Sequence, residues 1–277
     1  MNQTDDSSRY CLAYVREHRR GHFLAGLFLP EAQRGIYYAL TALQSELARV
    51  PYMVSESMLG EIRFQWWRDS FDAGSADHPI LKVLGPWVTP DRRADLHALI
   101  DAYARRLESL APRDQQEWDA QALACEGTFL SLVGSLSGSD VFDNTPVQSL
   151  TARLLWRADM LRSFSSDAAL GVFRVPPGML AEHGLDLGLI RNGQAAENAR
   201  AMLKSIAATW HDLMADLKLR TRSWPRRELP VLLPLCADEA WVRHALGGAF
   251  DPYQLPGDLP AFRLQFRMLR AMALGHL

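Results

Sequence analysis

Nearly every long segment of this chain repeats its apolar residues at three- and four-residue steps. The clearest segment runs from Asn198 to Arg222, and its apolar side consists of Ala199, Met202, Leu203, Ile206, Trp210, Leu213 and Leu217. This period is typical of amphipathic α-helices, and no stretch of any length shows the alternation expected of a β-strand. Short segments rich in proline and glycine separate the helical patterns. The chain is therefore predicted to fold as a single all-α helical bundle.

The helices are expected to begin where proline or a short polar residue provides a start signal. The predicted helical segments are residues 9–21, 30–51, 57–71, 90–110, 116–136, 198–222, 238–246 and 260–274. One further helix is predicted to begin at Thr145-Pro146 and to continue into the stretch from Leu154 to Pro176. The sequence Ala73-Gly74-Ser75 is expected to end the third helix. Residues 1–8 are predicted to be a disordered N-terminus, and residues 9–277 to form one domain.

The composition narrows the class of protein. A net charge of −2 gives no reason to expect nucleic acid as a partner. No apolar run approaches the ~18–20 residues that are needed to cross a bilayer. The first residues include Asp5 and Asp6 and no apolar run, so they predict neither a secretory signal nor a transit peptide. The widely separated Cys11, Cys125 and Cys236 favour a reducing compartment, and we expect a cytoplasmic globular protein.

The stretch from Leu154 to Pro176 combines an apolar side with a row of polar residues. Asp159, Ser163 and Asp167 follow one another at i, i+4 and i+8, which places them on one strip of the helix. Arg162 lies beside this strip. A helix that buries one side and presents polar groups along another is suited to forming the wall of a cavity.

The order of residues in this stretch resembles that of squalene and phytoene synthases, which are head-to-head prenyl transferases. The shared frame consists of Leu161-Arg162, Asp167, Gly171 and Val175-Pro176. The resemblance implies an isoprenoid-synthase-type helical bundle around a central cavity. It also implies that Asp159 stands where the family has Asn, and that Ser163 stands at the first position of the family's DxxxD motif. Of that motif's two aspartates, only Asp167 is kept.

The second Asp-rich motif that the resemblance implies is missing from the second helix. In its place the chain has Glu46 and Arg49, and no register provides two carboxylates. Mg²⁺ that bridges two diphosphates needs several carboxylate oxygens. Asp159 and Asp167 are therefore only weak candidates for metal ligands, and no cofactor is expected. Mg²⁺ is expected only if the chain retains the enzyme's chemistry.

Other parts of the sequence resemble one branch of this superfamily. The patterns are Glu46-Leu47-Ala48-x-Val50, Ser55-Glu56-x-x-x-Gly60 and Arg63-x-Gln65-x-Trp67. They stand in place of the Asp motifs in a branch whose best-known members are non-enzymatic assembly factors of respiratory complex I. The resemblance covers about residues 9–72 and 121–185. It implies a protein without prenyl transferase activity, which acts as a lipid- or protein-binding factor.

Three functions follow as hypotheses. The first is a non-catalytic factor that binds a lipid or a protein, with a role in assembling respiratory complex I. The second is an Mg²⁺-dependent head-to-head prenyl transferase with a degenerate metal site formed by Glu46, Asp159 and Asp167. The third is a carrier in which Arg49 and Arg162 hold an anionic lipid head without a metal ion. The candidate ligand-binding residues are Glu46, Arg49, Arg63, Gln65, Asp159, Arg162, Ser163 and Asp167. The expected partners are a prenyl diphosphate or other isoprenoid lipid, and a respiratory-complex subunit or assembly protein.

Two further features have competing interpretations. At least one of Trp66 and Trp67 is expected to be buried in the core. The basic cluster Arg16, His18, Arg19, Arg20 and His22 is interpreted either as a solvated face or as a contact with an anionic lipid or diphosphate. The second interpretation would place the protein at the surface of the inner membrane.

Overall fold

The computed structural model describes residues 3–54, 56–74, 77–108, 110–138, 141–143 and 145–277, and for residues 3–5 the backbone alone. Within these ranges the regular structure is helical, which confirms the prediction of an all-α fold. Ser55 of the Ser-Glu pattern and Ser75 of the predicted break lie outside the described residues. The helices are α1 (Gln3–His18), α2 (Arg20–Gly26), α3 (Glu31–Met53), α4 (Ser57–Ala73), α5 (Pro79–Leu84), α6 (Pro90–Ala104), α7 (Gln115–Ala122), α8 (Thr128–Gly134), α9 (Pro146–Leu170), α10 (Pro177–Glu182), α11 (Leu187–Arg191), α12 (Ala196–Thr221), α13 (Pro234–Ala245) and α14 (Ala261–Leu274).

The N-terminal helix begins earlier than the sequence indicates. α1 starts at Gln3 rather than at Arg9, so residues 3–8 are helical where a disordered terminus was predicted. Asp6 lies near the start of this helix, where negative charge is favoured by the helix dipole. Ser7 is buried, which shows that this part of α1 packs on the domain.

Two helices organise the bundle. α9 packs against α12, α13, α7 and α8, and α3 packs against α1, α2, α5 and α8. The Nε1 atom of Trp210 on α12 donates to the backbone oxygen of Leu154 on α9 at 2.9 Å, so a fully buried ring also has its polar atom satisfied. The three cysteines are buried in different places: Cys11 on α1, Cys125 between α7 and α8, and Cys236 on α13.

The helix formed by α7 and α8 contains a π-helical segment, Leu123–Gly127, at its centre. Such single-turn widenings occur frequently at functional sites. The widened turn buries Glu126, whose Oε2 accepts a hydrogen bond from Gln44 Nε2 of α3 at 2.8 Å. An acidic side chain is thus held inside the packed interface between α3 and the π-helical segment.

Replacing Gly26 with alanine is expected to lower the free energy of unfolding by about 1–3 kcal/mol. A Cβ atom on Gly26 would lie 2.5 Å from Cε1 of Tyr38, whose buried ring donates its hydroxyl to the backbone oxygen of Phe23 at 3.0 Å. The ring must move and that hydrogen bond must weaken. Gly178 on α10 is the matched control, because its Cβ would meet nothing within 4 Å. Urea unfolding should show a loss for Gly26→Ala alone, and equal midpoints for both variants would contradict the packing argument.

Candidate functional site

A buried arginine lies at the centre of the candidate site. Gly171 ends α9 in the left-handed conformation, with φ of 68°, and turns the chain back towards the helix. The segment that follows carries Arg174, whose side chain is only 5% exposed. This places its guanidinium against the polar strip of α9.

The three polar residues of the strip all contact Arg174. Its Nη1 donates to Asp159 Oδ2 at 2.8 Å and its Nε donates to Asp167 Oδ2 at 2.9 Å. Its Nη2 contacts Ser163 Oγ, which itself donates to Asp167 Oδ2 at 2.7 Å. The strip that the helical spacing identified is therefore a binding site for a cation, and the chain itself provides that cation.

The two aspartates respond differently to their surroundings. Desolvation would raise the pKa of Asp159, but the nearby Arg174 and Arg19 outweigh it and lower this pKa to about 2. For Asp167, desolvation prevails over the hydrogen bonds from Arg174 and Ser163 and raises the pKa above its ordinary value. Asp159 borders the open cavity, whereas Asp167 lies deeper. Asp159, at the cavity wall, therefore remains ionised to a lower pH than Asp167 does.

The cavity beside Arg174 has a volume of about 300 Å³ and an arginine-rich lining. Its charged lining residues are Arg19, Arg49, Arg106, Arg174, Asp159 and Asp167. They come from the junction of α1 and α2, from α3, from the turn after α6, and from α9 with its exit. Arg19 Nη1 lies 3.5 Å from Asp159 Oδ1, and Arg49 Nη1 lies 3.3 Å from the Tyr14 hydroxyl. We call this space the arginine cavity.

A larger and mainly apolar space, of about 650 Å³, lies next to the arginine cavity. It runs between the end of α3, the turn after α6, and the segment from Gly171 to Leu187. Its apolar lining includes Val54, Leu107, Leu110, Val172, Phe173, Val175, Leu180, Leu185 and Leu187. We call it the apolar groove. Arg106 lines both spaces, so it forms part of the wall between them.

Arg106 is buried without an ion pair in the described part of the chain. Its residue exposure is 4%, and its guanidinium lies over the rings of Trp156, at 4.8 Å, and Tyr103, at 5.7 Å. Its Nε and Nη2 atoms have no hydrogen-bond partner among the described residues. Stacking on aromatic faces compensates part of the cost of burying this charge, but these N–H groups stay without an acceptor within those residues.

Arg162 takes part in a different network. It contacts Asp238 at 2.9 Å and Asp258 at 2.8 Å, and its guanidinium lies 4.7 Å from the centroid of the Trp241 ring. This network borders a small cavity of about 100 Å³ on the other side of Asp159. The structure therefore separates Arg162 from Arg49, the residue with which it was expected to share an anionic head.

The remaining predicted residues lie on the outer part of the bundle. Glu46 and Arg63 line a separate space of about 430 Å³ together with Trp66 and Trp67. Gln65 is exposed and donates to Asp69 Oδ1 on its own helix at 2.7 Å. Trp67 is buried and Trp66 is largely exposed, so the expectation that at least one of the two rings is buried is met.

The basic cluster near the N-terminus does not form one surface. Arg16 and Arg20 are exposed, while Arg19 turns into the arginine cavity. His22 is buried, and its Nδ1 lies 3.0 Å from the Tyr37 hydroxyl. Desolvation and the charge of Arg19 lower the pKa of His22 well below its ordinary value. Arg16, His18 and Arg20 of the cluster are therefore exposed, whereas Arg19 and His22 turn inward.

The pattern of the family described as squalene/phytoene synthase matches residues 15–240. The chain belongs to the squalene/phytoene synthase family. Solved structures with the same fold include a dehydrosqualene synthase in complex with ligand, with a TM-score of 0.75, 13% identity and coverage of 98% of both chains. Squalene synthase HpnC from Alicyclobacillus acidocaldarius aligns with a TM-score of 0.70 and 18% identity, over 87% of this chain and 93% of that one. These structures confirm the isoprenoid-synthase-type fold.

The names of curated relatives of this squalene/phytoene synthase family protein give a role other than that of a synthase. A Bos taurus protein named "NADH dehydrogenase (ubiquinone) complex I, assembly factor 6" is 24% identical over 251 residues, covering 88% of this chain and 75% of the relative. The Homo sapiens protein of the same name is 22% identical, with the same coverage. The expected resemblance to this branch of the squalene/phytoene synthase family is thus confirmed.

Ser163 and Asp167, the two residues that the sequence resemblance aligns with the DxxxD motif, both contact Arg174. A divalent ion at Asp159 and Asp167 would have to displace a buried guanidinium with three partners. Within the described residues, no group of three or more His, Cys, Asp or Glu side chains is arranged to hold a metal ion.

Three functional candidates were missed in the sequence: Arg174, Arg106 and Glu126. For Arg174 the sequence offers one local indication. It lies between Gly171 and Pro176, where the chain leaves α9 and turns back towards it. Arg106 and Glu126 lie in apolar surroundings within helical patterns, and nothing local to them indicates that they are buried.

Proposed function

We propose that this protein is a non-catalytic member of its family and that it binds an anionic amphiphile, a molecule with a negative head and an apolar chain, without a metal ion. The observation that carries this proposal is the position of Arg174. Its guanidinium lies among Asp159, Ser163 and Asp167, and the last two are the positions that the sequence resemblance aligns with the Mg²⁺-binding DxxxD motif of the family.

The remaining carboxylates do not fit a magnesium site for two diphosphates. Mg²⁺ demands close octahedral coordination by oxygen ligands, and here the Oδ2 atoms of Asp159 and Asp167 already accept from Arg174. Glu46 lines a separate space with Arg63. We therefore derive no catalytic step through a metal.

The arginine cavity favours a negative head group. Four arginines and two aspartates line it, so its charged lining has an excess of positive charge. Arg106 contributes a buried cation with unpaired N–H groups, and burying such a group costs free energy unless an acceptor pairs with it. A phosphate or carboxylate in the cavity would provide that acceptor.

The apolar groove favours a hydrocarbon chain attached to that head. Its volume of about 650 Å³ lies in the range of small-molecule sites. Because Arg106 borders both spaces, a head near this residue places its chain at the entrance of the groove. The two spaces together match a ligand with one charged end and one apolar end.

The first experiment measures binding of dodecyl phosphate by titration calorimetry, with inorganic phosphate and dodecanol as the isolated head and chain. We expect dodecyl phosphate to bind more tightly than either, with the same affinity in the presence of EDTA. Arg106→Met should weaken this binding at least about tenfold, because hydrogen bonds to charged groups contribute ~1.5–3 kcal/mol each. Its thermal midpoint should stay unchanged or rise, since a buried unpaired charge is replaced by an apolar side chain.

The control is Arg220→Met, because the side chain of Arg220 is exposed and lies on α12, which contributes no residue to the groove lining. Equal affinity of Arg106→Met and this control would remove Arg106 from the site. Mg²⁺-dependent release of diphosphate from farnesyl diphosphate would contradict the non-catalytic proposal and support the degenerate prenyl transferase instead.

We propose as the cellular role that the protein acts in assembly of respiratory complex I. The name shared by the curated relatives supports this role. Deletion of the gene should lower complex I activity and subunit content, and the unmodified chain should restore both. Failure of Arg106→Met to restore them, at equal protein level, would connect the role to the amphiphile site. Normal complex I in the deletion strain would contradict the assembly role and leave the binding proposal intact.

A further inference from the structure

α14 has two apolar faces on opposite sides of the helix. Leu264, Met268 and Ala271 are buried, and they pack with side chains of α2 and α13 in a separate hydrophobic cluster. This face attaches the helix to the rest of the domain. None of the helices in the described ranges combines the length and hydropathy needed to cross a membrane.

The opposite face presents large apolar side chains to solvent. Phe262, Phe266 and Leu269 are 66%, 70% and 56% exposed, and they follow at i, i+4 and i+7. At 100° per residue, these positions lie about half a turn from the buried face. Two exposed phenylalanines on one stripe are unusual for a solvated helix and mark an interaction surface.

A row of arginines runs along one flank between these two faces. Arg263, Arg267 and Arg270 are exposed and make no ion pair with any residue in the described ranges. The segment 261–274 contains no acidic residue. Lys218 and Arg243 border the same flank, where Glu239 is the acidic residue of the lining. The stripe of apolar rings is therefore accompanied by positive charge.

We propose that α14 docks on an anionic membrane surface, with its phenylalanine stripe in the headgroup region and its arginines against lipid phosphates. Interfacial helices combine an apolar face with a basic polar face in this way. Arginine stems can follow the apolar boundary while their charged ends reach the phosphates, and Arg263 already lies over the Phe262 ring, at 6.0 Å. The charge complementarity favours an anionic bilayer over a neutral one, and the inference does not depend on the amphiphile site.

The test is co-sedimentation of the full chain with vesicles of phosphatidylcholine, with and without phosphatidylglycerol. We expect binding to vesicles that contain phosphatidylglycerol. Binding should be weaker in high salt, because salt screens the attraction between the arginines and the lipid phosphates. The combined change Arg263→Gln, Arg267→Gln and Arg270→Gln should lower the affinity roughly 100-fold, since each basic residue near an anionic surface contributes about 1 kcal/mol. Phe262→Ser with Phe266→Ser should abolish the salt-resistant part of the binding.

Matched controls separate the surface from a general effect of substitution. Met58→Ser removes a side chain on α4 that is 65% exposed, and Arg113→Gln removes an exposed cation elsewhere. Both should bind vesicles as the unmodified chain does. Equal loss in the controls, or binding that ignores phosphatidylglycerol, would overturn the proposal. A dimer in sedimentation velocity that the phenylalanine changes convert to monomer, without vesicle binding, would instead identify α14 as an interface between copies.

Discussion

Replacing Arg174 with methionine is expected to lower the free energy of unfolding by about 3–5 kcal/mol, as is found when one partner of a buried ion pair is removed. Asp167 would then remain buried without its cation, and Asp159 would lose the contact at 2.8 Å. The loss should be largest near neutral pH, where both carboxylates are ionised, and smaller in acid, where protonation relieves their repulsion. Urea unfolding of the two proteins over this pH range measures it.

Two further variants identify the cause of this loss. Adding Asp159→Asn and Asp167→Asn to Arg174→Met should recover most of the stability, because no unpaired charge is left behind. Arg220→Ala removes a pair of similar length, 2.9 Å to Asp216, between side chains that are 47% and 40% exposed, and should change stability by less than about 1 kcal/mol. A loss that the added asparagines do not recover would indicate that Arg174 stabilises the fold through packing instead of charge.

Replacing Glu126 with glutamine is expected to make the protein more stable above pH 7, with little difference below pH 4.5. Desolvation raises the pKa of Glu126 to about 7, in spite of opposing contributions from Arg19 and Gln44. The ordinary value near 4.5 applies in the unfolded chain. Between these values the folded protein holds a proton that the unfolded chain releases, so stability falls as pH rises across this window. The full difference corresponds to about 3 kcal/mol.

The measurement is the free energy of unfolding of variant and unmodified protein from pH 4 to pH 8. Subtracting the two curves cancels the contributions of all other titrating groups that the substitution leaves unchanged. Glu182→Gln, at an exposed position on α10, should give a flat difference. A flat difference for Glu126→Gln as well would mean that Glu126 is ionised in the folded protein, with Arg19 as its counter-charge.

The long helices could be predicted from the sequence because each has enough turns to display its period. The short helices α5, α10 and α11, of six, six and five residues, could not, since fewer than two turns show no period. A single residue, Arg19, separates α1 from α2. Its backbone departs from helical geometry, although neither Arg19 nor either of its direct neighbours is proline or glycine. Elements of this size are determined by tertiary packing more than by local pattern.

The candidate site was predictable only where one helix determines its geometry. Asp159, Ser163 and Asp167 share a strip because their spacing fits the helical period, and the structure brings them onto one guanidinium. Arg174 reaches them through a reversal of the chain, and Arg162 turns towards partners 76 and 96 residues further along. Such contacts depend on how helices are arranged in space, which a single sequence does not display.

The burial of the three cysteines makes each thiol a reporter of local opening. Desolvation raises the pKa of Cys11, Cys125 and Cys236 to about 12, so almost no thiolate exists in the closed protein at neutral pH. An alkylating reagent can react only during fluctuations that expose the sulfur, and its rate then measures how often each region opens. Cys236 lies in the cluster that holds α14, so its labelling rate follows the detachment of that helix, while Cys125 follows the π-helical segment. The unmodified chain thus contains three native probes, and their labelling rates show which part of the molecule opens most readily.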